Sequence, residues 1–175
     1  MTKFLLVLHV LAAIVAVGPV AVAASMFPPS ARRALADPGD QRAAETLRLL
    51  HRICRVYAGL GIAVPVLGFA TAMSMGVLDD AWLIASMALT GIAAAVLLAL
   101  VLPRQEELLE AVEAADGTAA AGADATTGAT TGAATGVATD SRVTVRLAMF
   151  TGIFNLLWAT VTILMIVRPG STTGA

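Results

Sequence analysis

One ionisable side chain stands inside an apolar run long enough to cross a bilayer: His9, within FLLVLHVLAAIVAVGPVAVAA, residues Phe4 to Ala24. An ionisable group at membrane depth is a functional candidate by default. A neutral imidazole is a common metal ligand, and beside thioether sulfurs it suits Cu(I) or a haem with His/Met ligation. With four spans of alternating direction, Met73, Met75, Met87 and Met165 fall at the level of His9 or just above it. His9 is therefore the candidate cofactor-binding residue, and His9, Met75, Met87 and Met165 are the candidate metal set. A plainer reading competes with it. Methionine is ordinary filler in apolar helices, and His9 shares a helical face with Ala12, Ala13, Ala16, Val20 and Ala24. Small residues let helices approach closely in a membrane, so that face points into a bundle, where the histidine packs against protein.

A second group is basic. Arg48, His51, Arg52 and Arg55 fall at i, i+3, i+4 and i+7, with Leu47, Leu50 and Cys54 as the apolar counterpart. That pattern predicts an interfacial helix over 45–55 whose basic face meets anionic lipid headgroups, at about 1 kcal/mol per basic residue. A clamp for an anionic ligand is the rival use of the same face. His51 lies most of a bilayer away from His9, so the two histidines of one chain cannot hold one iron. A single cysteine, Cys54, excludes an intrachain disulfide and a thiolate metal cluster. No span contains Asp or Glu, which disfavours a carboxylate relay. There is no serine–histidine–acid pattern, HExxH, phosphate loop or CxxC, so no catalytic residue is assigned.

The elements that must position these residues are membrane helices. The chain has 175 residues, 58% apolar and 13% charged, with mean hydropathy +0.86. Soluble domains carry roughly twice that charge, about 25%. Net charge is −1, which gives no nucleic-acid footprint. Spans are expected at 4–24, 56–75, 81–102 and 147–167, making one all-α membrane domain, a four-helix bundle. The first has a basic start and an Ala21-Val22-Ala23 resembling a cleavage site, but it exceeds the usual signal core of about 7–15 residues. It is read as a retained helix, kinked at Gly18-Pro19. Phe27-Pro28-Pro29 is expected to end it, and Asp37-Pro38-Gly39-Asp40 to turn the chain. The second span carries Pro65 and a Gly68, Ala72, Gly76 series suited to close helix contact. Pro103 is expected to stop the third span, with an acidic surface helix over 104–116 (Glu106, Glu110 and Glu113 on one face). The Ala/Thr/Gly stretch 117–139 reads as a disordered linker. Asn155, inside the fourth span, needs an interhelical partner.

Orientation follows from counting. The loops after spans one and three hold nine basic residues (Arg32, Arg33, Arg42, Arg48, Arg52, Arg55, Arg104, Arg142, Arg146), against Lys3 and Arg168 on the other side. The positive-inside rule then places both loops in the cytoplasm and both termini outside. Ten arginines against one lysine, with many alanines, are the mark of a GC-rich bacterial genome. The expected location is a bacterial cytoplasmic membrane.

Three stretches carry a resemblance: LLVLHVLAAIVAVG (Leu5 to Gly18), VLPRQEELL (Val101 to Leu109) and LMIVRPG (Leu164 to Gly170). They resemble bacterial four-helix proteins known only as predicted integral membrane proteins of unknown function. The likeness covers nearly the whole chain except the low-complexity stretch, and it implies no activity. More distantly, the first-helix histidine is similar to that of copper-resistance membrane domains and of haem-dependent protoporphyrinogen oxidases, where His9 alone corresponds. The expected function is a structural or partner-binding bundle without its own catalysis, assembling with itself or a membrane partner. The alternative is a haem- or copper-binding membrane protein using His9.

Overall fold

Alternation of long apolar runs with short polar turns produces helices alone. A computed structural model describes residues 2–123 and 133–170, with side chains within 2–118 and 142–170, and these contain no strand. The elements are α1 (Thr2–Ala36), α2 (Gln41–Leu60), α3 (Ala63–Met75), α4 (Ala81–Ala95), a π segment (Val96–Val101), α5 (Leu102–Ala123) and α6 (Ala133–Val167). Four stretches are long and apolar enough to cross a membrane: Thr2–Ala36, Gln41–Met75, Ala81–Thr118 and Arg142–Val167.

Helix α1 does not end at its prolines. It runs through Pro28 and Pro29 to Ala36, although each proline lacks an N–H and costs roughly 3 kcal/mol in a helix interior. Packing outweighs that cost. Phe27 and Ala31 are fully buried and Ala34 nearly so, against a core that includes Ala44 and Leu47 of α2. The turn at 37–40 falls where Asp-Pro-Gly-Asp places it. Asp40 caps α2 by accepting from the N–H groups of Arg42 (3.0 Å) and Ala43 (3.3 Å), and Gly39 takes a φ of +105°.

The second span bends between α2 and α3. Pro65 cannot donate to the Gly61 carbonyl, which instead accepts from Val64 N–H at 3.1 Å, while Ile62 N–H turns to Gly59 at 3.2 Å. These i→i−3 bonds tighten the chain locally. Gly61 fits closely there: a Cβ on it would sit 3.1 Å from the Ala58 carbonyl oxygen, a tight contact. At the far end Gly76 takes a left-handed φ of 69°, and Val77 N–H reaches back to the Ala72 carbonyl at 3.3 Å, closing the helix in a Schellman turn.

The third span likewise passes its proline. The π segment immediately precedes Pro103, and Leu102 N–H bonds the Leu97 carbonyl, five residues back. Widening the turn gives the pyrrolidine ring room beside the carbonyl four residues before it. Span three and the acidic helix are thus one rod. It continues through Gly117–Ala123, and Ala133–Thr139 opens α6, because alanine is the strongest helix former. The centre of the low-complexity stretch, 124–132, lies outside the described residues.

Helix α1 packs on α2, α3, α5 and α6, while α4 packs on α6. All four stretches exceed the roughly 20 residues that a hydrocarbon core needs, and the excess of α1, α2 and α5 projects at one end. There it forms a helical cap whose core joins Phe27, Leu47, Cys54, Leu108, Val112 and Leu147. At the other end, Ala72, Trp82 and Leu83 make a small cluster, Trp82 donates to Asp80 at 2.9 Å, and the Arg168 guanidinium lies over the Trp82 ring. The flanks of the rods are apolar and exposed: Phe4 is 69%, Leu156 68% and Ile166 76% accessible. Several hydroxyls within the spans return to their own helix, as Thr71 does to Leu67 and Ser86 to Trp82.

Candidate functional site

His9 is held by the bend in the second span. Its Nδ1 lies 3.0 Å from the Val64 carbonyl oxygen, across the α1–α3 contact. A carbonyl can only accept, so Nδ1 is the donor, and in the neutral ring the lone pair lies on Nε2. The ring lies against Gly68, where a Cβ would come within 2.8 Å of His9 Cε1. Gly68 therefore makes the close contact within the chain that its small size permits. His9 is buried. Of the methionines grouped with it, Met87 is 42% exposed on α4, a helix that packs on α6, whereas Met75 and Met165 are half-buried. Among the described residues, no group of three or more His, Cys, Asp or Glu side chains could hold a metal. His9 could ligate through Nε2.

At the cap end, the basic face of α2 meets the acidic face of α5. Arg48 Nε pairs with Glu113 Oε1 at 2.9 Å, with both side chains half-exposed. His51 is buried, its Nδ1 3.2 Å from Gln105 Oε1 and its Nε2 3.7 Å from Glu106 Oε1. Gln105, fully buried, gives its amide N–H to Cys54 Sγ at 3.5 Å. Asp116 accepts from Gly39 N–H at 2.9 Å and ties α5 to the first turn. The four residues read as a headgroup-binding face are thus divided. Arg48 and His51 engage α5, whereas Arg52 and Arg55 remain exposed.

Sequence reasoning missed Gln105. The signal was present: Val101, Leu108 and Val112, all buried, stand at i−4, i+3 and i+7 from it, so it shares their apolar stripe. Two concavities were also not foreseen. One, with about 590 Å³ of empty space, lies among all four spans and is apolar, lined by Ala16, Val20, Pro65, Leu97, Tyr57 and Trp158. The bend at Gly61–Pro65 forms one of its walls. The other, of about 610 Å³, lies between the cap end of α1 and the start of span four, lined by Ser25, Pro28, Arg32, Thr151, Gly152 and Asn155. Asn155 finds its interhelical partner there, donating to Ser25 Oγ at 3.1 Å.

No known protein family, curated protein or solved structure matches the chain.

Proposed function

We propose that the chain is a multi-pass protein of a bacterial cytoplasmic membrane, with its termini outside and its helical cap in the cytoplasm. Its work is non-catalytic: a helical bundle that assembles with copies of itself or with a membrane partner. Four long helices with apolar flanks support the membrane placement, and the arginines gathered at the cap end support the orientation. The observation that carries the non-catalytic reading is the use of both histidines as helix–helix joints. His9 bonds the Val64 carbonyl and His51 bonds Gln105.

One observation favours a second reading, haem or copper bound by His9. A ligating histidine needs its other nitrogen fixed by a donor bond, and the Nδ1–Val64 contact does that while leaving Nε2 bare. The two readings part in one experiment: an absorbance spectrum with elemental analysis on detergent-purified protein from haem- and copper-replete cells, wild type beside His9→Ala. The expected outcome is no Soret band, copper far below one per chain, and a lower unfolding midpoint for the variant. A Soret band or stoichiometric copper that disappears in His9→Ala would transfer the conclusion to the second reading.

A further inference from the structure

We propose that the groove between α1 and α6 binds the headgroup of a glycerophospholipid, its phosphate on Arg32 and its headgroup hydroxyl or ammonium on Asn155. The inference rests on the membrane placement above and not on the direction of threading.

Unanswered polar groups converge on this groove. Thr151 is 3% exposed, and its Oγ1 has no hydrogen-bond partner; the buried Oδ1 of Asn155 has none either. The amide nitrogen of Asn155 is already committed to Ser25 Oγ at 3.1 Å, and the Ser25 hydroxyl to the Ala21 carbonyl at 2.7 Å. The Ser25 hydroxyl is thus not free to serve Asn155 Oδ1. Pro28 and Pro29, which also line the groove, have no N–H of their own to offer. Arg32, at the groove's polar end, pairs with no carboxylate among the described residues. Buried polar groups left without partners are costly and mark places where a further group belongs.

The inventory defines the occupant. Arg32 calls for an anion, Thr151 can donate to one, and Asn155 Oδ1 calls for a donor. A phosphodiester with a hydroxyl or ammonium a few bonds away supplies all three. The groove stands where span passes into cap, and Ser25, Ala148 and Gly152 along it are exposed on the flank that faces lipid. A Cβ on Gly152 would meet nothing within 4 Å, so the approach is open. A second copy of the chain fits less well. A two-fold contact across the groove would set one Arg32 guanidinium against the other.

The test is native mass spectrometry of the delipidated full chain in detergent, titrated with dioctanoyl phosphatidylglycerol, with inorganic phosphate as a separate arm. One lipid per chain is expected, weakened tenfold or more by Arg32→Gln and by Asn155→Leu. The neighbouring Arg33→Gln should stay within twofold of wild type. Gly152→Val keeps the test decisive should Asn155→Leu fail to fold: it enters open space and should close the groove with the unfolding midpoint preserved. Equal losses in Arg32→Gln and Arg33→Gln, or full binding by Gly152→Val, would overturn the proposal. So would inorganic phosphate binding as tightly as the lipid, or an Asn155-dependent dimer in place of the lipid adduct. Failure of the membrane placement itself would show separately, as protein recovered without detergent.

Discussion

A methyl group at position 68 would stand 2.8 Å from His9 Cε1, so the imidazole would have to leave the Val64 carbonyl or the two helices would have to part. Gly68→Ala should therefore lower stability by about 1–3 kcal/mol, the range for overpacking a tight contact. SDS-titrated unfolding in mixed micelles reads this. The double variant His9→Ala/Gly68→Ala should recover part of the loss, because removing the ring removes the clash. Strict additivity of the two single losses would show that they do not share one contact. Half of this contact was legible in the sequence: the small-residue face of α1 places His9 toward protein, and Gly68 stands in a small-residue series. The acceptor was not legible, because it is a backbone carbonyl brought within reach by a bend two residues wide, and no side-chain pattern encodes it. Gln105 was hidden for a different reason. A polar residue beside a run of glutamates looks solvated until the opposing basic face is known to dock on it.

Between α2 and α5, two kinds of polar contact make unequal contributions. Arg48–Glu113 is half-exposed on both sides, so Arg48→Ala should cost under about 1 kcal/mol. Gln105 is fully buried and answers both His51 and Cys54. Gln105→Ala should cost about 1–3 kcal/mol, the penalty for leaving a buried polar partner unanswered. The same unfolding measurement ranks them, and a larger loss in Arg48→Ala would mean that the charged faces, not the buried amide, hold the cap together. Element boundaries followed the sequence wherever a turn had its own chemistry, as at Asp37–Asp40 and Gly76. They departed from it at Pro28-Pro29 and at Pro103. A proline rule weighs only the local hydrogen bond, whereas burial of Phe27 and Ala31 and a one-residue widening at Val96–Val101 were available to offset it.

For the molecule as a whole, the decisive asymmetry is between its two ends. At one end α1, α2 and α5 run on past the hydrocarbon length into a cap with most of the buried core and most of the arginines. At the other stand a turn over 76–80, the start of α1 and the end of α6. In the proposed membrane placement lipid, not protein, covers most of each span: only 17–22% of the residues in each span's most apolar window are buried within the chain. The proposed orientation, cap end in the cytoplasm, follows the positive-inside rule, and single-cysteine labelling tests it. The native Cys54 is fully buried, so wild type should react little with a membrane-impermeant maleimide and needs only Cys54→Ala to give a clean background. On that background Asp79→Cys, in the turn between spans two and three, should label in intact cells. Glu110→Cys, on the exposed face of α5, should label only after the membrane is opened. The reverse pattern would invert the protein and leave the four spans standing. Labelling of both sites in intact cells would remove the membrane between them, and with it the reason that so apolar a surface stays exposed.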